Sequence, residues 1–179
     1  MKILTSRSQQ HGSSLIEALV ALLVLALGIL GMAGIQTRTL TDARLTNARA
    51  AAIRMSNDIQ ERMKLNVEVQ SINPNPYIVG FGVAAAPPVN CNAAACTTAQ
   101  LAAFDISQWK ATLGTTLPGG DARIFVSPDD RRQFGVLVSW TDNQSAAAGA
   151  TNVFDVTTNV NGTNCPANTQ CHLTVIRPL

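Results

Sequence analysis

Hydrophobic residues are concentrated in one segment near the N-terminus, and the rest of the chain mixes apolar and polar positions. No charged residue occurs from Ala18 to Ile35, and Leu15 and Ile16 extend the apolar pattern towards the N-terminus. As an α-helix rising about 1.5 Å per residue, this run spans roughly 27 Å, close to the thickness of a bilayer core. The pattern therefore predicts a transmembrane helix over residues 13–36.

The apolar run continues into a polar helical segment, 37–66, without a proline or a turn signal. Apolar residues recur in it every three or four positions: Leu45, Ala48, Ala52, Met55, Ile59 and Met63. This spacing produces a narrow apolar stripe on one face of a helix. Such a stripe suits either a coiled coil or docking on a sheet, and the strand-rich sequence downstream favours docking.

The remainder, 67–179, has the pattern of a mixed head domain. A proline-containing loop at 71–97 precedes a predicted helix from Thr98 to Leu113, which Gly114 is expected to end. Four β-branched runs follow, separated by turn-rich segments, at 122–127, 133–141, 152–160 and 172–177. We expect an α+β fold in which the long N-terminal helix packs on a meander of roughly four antiparallel strands.

The four cysteines form two close pairs, Cys91 with Cys96 and Cys165 with Cys171. An even number of cysteines after an export-type segment indicates disulfides in an oxidising compartment. Of the three possible pairings we favour the two local ones, because each closes a short loop bounded by turn-forming residues. Reduced buried thiols are the alternative. A structural zinc is disfavoured because neither spacing is CxxC and His172 is the one histidine beyond residue 11.

Charge gives the orientation of the helix and excludes one class of partner. The net charge of +2 is too small to indicate nucleic-acid binding. Lys2 and Arg7 precede the apolar run, which favours a cytoplasmic N-terminus. Arginines also follow the run, so the charge rule alone is weak: Arg38, Arg44, Arg49 and Arg54. The cysteines decide the matter by placing the C-terminal domain outside.

Glu17 is a carboxylate at the edge of the apolar run, which makes it a functional candidate. The alternative is that it lies in the headgroup region, near a helix N-terminus whose dipole favours negative charge. A cut after Gly12 would leave Ser13 with a free α-amino group four residues from Glu17. In an assembly, the amino terminus of a neighbouring copy would then pair with Glu17 inside a dry helix bundle, where an unpaired charge is heavily penalised.

The segment from His11 to Leu23 (HGSSLIEALVALL) resembles the class III leader of type IV pilins and pseudopilins. Gly12 and Glu17 match that pattern in identity and spacing, whereas Ser13 and Ser14 stand where the family usually has Phe-Thr. The resemblance implies that a prepilin peptidase cuts between Gly12 and Ser13 and methylates the new N-terminus. It also implies that Glu17 neutralises a neighbouring N-terminus during polymerisation.

Three further segments make the resemblance more specific. The segments Cys91–Trp109, Leu117–Gly120 and Leu27–Gln36 look like those of PilV-type minor pilins. This resemblance implies a minor pilin that resides in the bacterial inner membrane with its head in the periplasm, and enters the pilus after assembly. Its partners would be other minor pilins, the major pilin and the inner-membrane assembly machinery. Together with other minor pilins it would help to prime filament assembly, at or near the pilus tip.

The resemblance divides the chain into a cleaved leader, a membrane or filament-core helix, an amphipathic helix and a disulfide-linked head, at 1–12, 13–36, 37–66 and 67–179.

The nearest alternative function is a minor pseudopilin of type II secretion. A membrane-anchored periplasmic enzyme is disfavoured, because the sequence has no GxSxG, no phosphate loop and no clustered metal ligands. We expect no catalytic activity, no cofactor, no metal and no nucleic-acid partner.

Cleavage can be tested directly by mass. Intact-mass analysis of protein extracted from the membranes of a peptidase-competent host should show loss of residues 1–12, with or without an added methyl group. A host that lacks the peptidase is the control and should yield the full-length chain. An uncut N-terminus in the competent host would contradict the resemblance to pilins.

Overall fold

The computed structural model describes residues 14–128, 130, 132–141 and 164–178. Its elements are α1 (Leu15–Leu65), a short 3-10 helix (Val67–Ser71), α2 (Thr98–Thr116), β1 (Asp121–Val126), β2 (Phe134–Trp140) and β3 (Gln170–Ile176). The chain forms two compact units, one ending at Arg44 and one beginning at Leu45. The boundaries predicted after residues 12, 36 and 66 stay predictions.

The first unit consists of the N-terminal part of α1. By length and composition, α1 contains an 18-residue stretch able to cross a membrane, and none of that stretch is buried. Its large apolar side chains are exposed around the whole circumference, from Leu15 at 85% to Ile35 at 68%. A helix that is apolar all round needs lipid or other helices as its surroundings.

The second unit has its core between α1 and one face of the sheet. The apolar stripe of α1 lies in this core, where Ala52, Ile59 and Met63 are fully buried. They pack in the same cluster as Ile124 and Val136, which face each other across β1 and β2. The predicted docking of the helix on a sheet is therefore confirmed, and so is the α+β class.

The sheet has three strands in the part of the chain that the structure describes, in the order β1-β2-β3, and both pairings are antiparallel. The predicted strand at 152–160 lies outside the described residues. β2 pairs along its whole length with β3, from Phe134 opposite Ile176 to Trp140 opposite Gln170. The described strands therefore form an antiparallel meander in chain order, as expected, and the fourth strand at 152–160 stays a prediction.

A capping box stabilises the start of helix α2, and a hydrogen bond to α1 holds its middle in place. The Thr97 hydroxyl accepts a hydrogen bond from the Gln100 amide, and the Gln100 side chain accepts one from the Thr97 amide, which forms a capping box. Further along, the indole Nε1 of the fully buried Trp109 donates to the carbonyl oxygen of Met55 in α1 at 2.8 Å. Because the acceptor is a backbone carbonyl of α1, this hydrogen bond also fixes how far α2 is shifted along α1.

The end of α2 differs from the prediction. Gly114 lies inside the helix, which continues to Thr116. The chain turns over the next four residues, where the Leu117 amide still donates to Leu113 O and Gly119 has a φ of +57°. The conformation that favours glycine is therefore at Gly119, five residues beyond the predicted stop.

Substitution by alanine at two nearby glycines should change the free energy of unfolding in opposite directions. A Cβ at Gly120 would lie 2.5 Å from Leu113 O and 2.8 Å from the Leu117 Cβ, so Gly120→Ala should lower the free energy of unfolding by about 1–3 kcal/mol. At Gly114 the nearest atom is 3.9 Å away, so Gly114→Ala should raise it by about 0.5–1 kcal/mol through helix propensity. Chemical unfolding of the full chain in detergent, followed by tryptophan fluorescence, measures both changes. Equal effects would show that the 117–120 turn is not tightly packed.

Candidate functional site

Glu17 lies in the first turn of α1. The helix begins at Leu15, and the amides of Glu17 and Ala18 donate to the Ser14 carbonyl oxygen at 2.9 and 3.2 Å. The carboxylate is thus close to the positive end of the helix dipole. Gly12 and Ser13, the predicted cleavage residues, lie outside the described residues.

The surroundings of Glu17 are apolar and exposed. Leu15 and Ile16 precede it, and Leu19 and Val20 follow it, each with more than half of its surface accessible. Among the residues that the structure describes, Glu17 has no ion-pair partner. Once its neighbours are covered by lipid or by other helices, an unpaired charge at this position would be costly.

The head holds a buried polar cluster that sequence reasoning missed. The Tyr77 hydroxyl donates to Asp105 Oδ2 at 2.6 Å, and Arg62 Nη1 donates to Asp105 Oδ1 at 3.2 Å. Asn66 Nδ2 donates to the carbonyl oxygen of Thr98 at 2.9 Å. These contacts join the end of α1, the loop that follows it and α2. Burial raises the pKa of Tyr77, and its hydrogen bond to Asp105 raises it further, so the phenol stays protonated.

The sequence did contain a signal for this cluster. Asp105 recurs at helical spacing with Leu101 and Trp109 on the apolar face of α2, and the structure buries it to 8% exposure. A charged residue on an apolar face predicts a buried partner. Its partners Arg62 and Tyr77 are far away in sequence, so only the tertiary structure identifies them.

A second buried charge, Lys110, stabilises the start of β1. Lys110 Nζ donates to the carbonyl oxygens of Gly80 and Gly82 at 2.6 and 2.7 Å and pairs with Asp121 Oδ1 at 3.0 Å. The other Asp121 oxygen accepts from the Gly82 amide at 2.6 Å. A groove of about 530 Å³ lies beside this pair, lined mainly by glycine and alanine. Both charges are engaged within the protein.

The cysteines lie in two loops of the head. Cys91 is bonded to Cys96 and Cys165 to Cys171, with Cα–Cα distances of 5.5 and 6.0 Å. These are the two local pairings favoured from the sequence.

No ligand set for a metal is formed by the histidine, cysteine, aspartate and glutamate residues of the described ranges. His172 is half-buried on β3, and its pKa is lowered by burial and by the charge of Arg49. It therefore stays neutral at pH 7.

Loss of the buried Asp105 carboxylate should destabilise the protein more than loss of the exposed Asp58 carboxylate. Asp105 and Asp58 both pair with Arg62, but their side chains are 11% and 42% exposed. Asp105→Asn should lower the free energy of unfolding by about 1–3 kcal/mol, because it removes the acceptor charge from the buried Tyr77 hydroxyl and from the partly exposed Arg62 guanidinium. Asp58→Asn should change it by less than about 0.5 kcal/mol. Urea unfolding of the two variants compares them, and equal losses would contradict a buried role for Asp105.

The comparisons with known proteins concern the N-terminus. The family described as the prokaryotic N-terminal methylation motif matches residues 7–33. No curated protein and no solved structure matches the chain. The matched segment contains Gly12, Ser13 and Glu17 and most of the apolar run. The chain therefore carries the N-terminal motif of type IV pilin-like proteins, which supports a pilin or a pseudopilin and is consistent with a membrane anchor.

Proposed function

We propose that this chain is a minor pilin of the type IV pilus, of the PilV type, which helps other minor pilins to prime filament assembly. One observation carries the proposal. Glu17 lies in the first turn of an exposed apolar helix, inside a segment that matches the methylation motif, and its carboxylate has no ion-pair partner among the described residues. A membrane anchor alone does not need this group, whereas a helix that polymerises with copies of its own kind does.

The proposed mechanism begins in the membrane. The leader, residues 1–12, is removed by a prepilin peptidase, and the new amino group at Ser13 is methylated. The apolar part of α1 then leaves the lipid for a bundle of similar helices. In that bundle Glu17 pairs with the positive N-terminus of a neighbouring subunit, so that neither charge is buried alone. The pairing favours the register in which both charges are satisfied.

We further propose that the N-terminus is cytoplasmic and the head periplasmic before assembly. Lys2 and Arg7 support this orientation through the charge rule. The two disulfides support it independently, because they form in an oxidising compartment. The partners in this reading are the prepilin peptidase, the other minor pilins, the major pilin and the inner-membrane assembly machinery, with a place at or near the pilus tip.

A minor pseudopilin of type II secretion is the second candidate. The methylation motif supports it equally, because both classes share the same N-terminal chemistry. The head with its two disulfides favours the pilus system. Deletion of the gene separates the two: loss of pili with normal secretion supports the minor pilin, and the reverse supports the pseudopilin.

Glu17→Ala tests the assembly role. The variant should leave the head folded and the protein in the membrane, but its incorporation into sheared filaments should fall at least tenfold, since the incoming N-terminus loses its partner. Glu61→Ala is the matched control, because Glu61 lies on the same helix and its pair with Lys64 is exposed. Quantitative immunoblotting of the filament fraction against the membrane fraction measures the effect. Normal incorporation of Glu17→Ala would contradict the pairing role.

A further inference from the structure

Two arginines lie on α1 directly beyond the apolar run. Arg38 and Arg44 are exposed, and neither has an ion-pair partner among the residues that the structure describes. Asp42, the acid between them, has a contact of its own. Among the described residues, the segment 36–44 therefore presents two guanidinium groups without an ion-pair partner and a single carboxylate, that of Asp42.

Their height above the apolar run matches a lipid headgroup layer. On a continuous helix, Arg38 lies about 4.5 Å beyond Ile35 along the axis, and Arg44 about 13.5 Å beyond it. The headgroup region extends roughly 5–8 Å beyond each side of the hydrocarbon core. Arg38 is thus within that layer, and the backbone of Arg44 lies roughly 5–9 Å beyond it.

The direction of helical side chains brings Arg44 into reach of the same layer. Side chains on an α-helix lean towards the N-terminus of the helix, which here is the membrane end. Leu40 lies one turn below Arg44 and is 62% exposed, so it offers an apolar surface for the arginine stem. Arginine stems cover such surfaces while the guanidinium remains at the polar boundary.

The position of these arginines is otherwise unfavourable. Basic residues at the outer end of a span oppose the orientation that Lys2 and Arg7 favour. Lipid phosphate compensates for this, because the guanidinium fork binds phosphate oxygens in a bidentate manner. We propose that Arg38 and Arg44 bind the phosphates of anionic phospholipids in the outer leaflet and so hold the unassembled protein at a fixed depth. The inference rests on the membrane anchoring in the proposed function.

The test uses the full chain after leader removal, reconstituted into nanodiscs of phosphatidylethanolamine with about a quarter of either phosphatidylglycerol or phosphatidylcholine. Native mass spectrometry then counts the lipids that remain bound. The wild-type protein should retain phosphatidylglycerol in preference to phosphatidylcholine. In the double variant Arg38→Gln/Arg44→Gln this preference should fall by about fivefold for each arginine.

Arg54→Gln is the matched control, because Arg54 is an exposed arginine of the same helix without an ion-pair partner in the described ranges, and it belongs to the second unit, with the head. It should keep the wild-type preference. An unchanged preference in the double variant, or an equal loss in Arg54→Gln, would overturn the proposal. Retention of phosphatidylglycerol by the double variant together with loss of its binding to other pilins would also overturn it, and would assign the arginines to a protein partner.

The outcomes also separate this proposal from the one on which it rests. A wild-type chain that enters the discs without lipid preference overturns the lipid site alone. A chain that fails to enter any disc overturns both the lipid site and the membrane anchor. Glu17→Ala should keep the lipid preference, so failure of the assembly role would appear in the filament assay and not in this one.

Discussion

The backbone hydrogen bonding of α1 is the constraint on which the rest of the structure depends. A segment without charge from Ala18 to Ile35 has no water to satisfy its amides and carbonyls once lipid or other helices surround it, and a helix satisfies them internally. The same helix then continues without a break to Leu65, where its apolar stripe forms one wall of the head's core. One element therefore has to meet the requirements of two different environments.

The core of the head is partly polar. Trp109 donates to a backbone carbonyl of α1, and Asp105 receives hydrogen bonds from Arg62 and Tyr77. Each of these contacts joins α2 to α1 or to the loop that follows α1. Directional bonds of this kind favour one offset of the helices over others that would bury a similar apolar area. Their value thus lies in specificity as much as in net stability, because the charges must first lose their hydration.

Three charged side chains of the first unit differ from those of the head in their ion pairing. Glu17, Arg38 and Arg44 have no ion-pair partners within the described ranges, whereas Arg62, Lys110 and Asp121 of the head are all paired. Groups that a protein leaves unpaired at the ends of an apolar run must be satisfied by what surrounds that run. We propose an amino terminus for Glu17 and lipid phosphate for the two arginines, so that release from the membrane exchanges one set of partners for another.

Features that depend on residues close in sequence were predictable from the sequence alone. The leader motif, the span and the stripe from Leu45 to Met63 all follow from composition or from a local period, and the helix and its docking on a sheet are as expected. The predicted strands at 122–127, 133–141 and 172–177 also lie within a residue or two of β1, β2 and β3. The end of α2 was misjudged because helix packing overrides the weak local preference of Gly114.

The tertiary structure decided what depends on distant residues. It placed β3 beside β2, a pairing that no local pattern specifies because turn signals and alternation do not encode which strand edge is occupied. It also supplied Arg62 and Tyr77 as the partners of Asp105, and Asp121 as the partner of Lys110. The sequence by itself determined which residues avoid water and which charges stand out. Only the folded chain decided which of those charges are satisfied inside it, because pairing requires distances of about 3 Å between groups that the sequence separates by 11 to 43 residues.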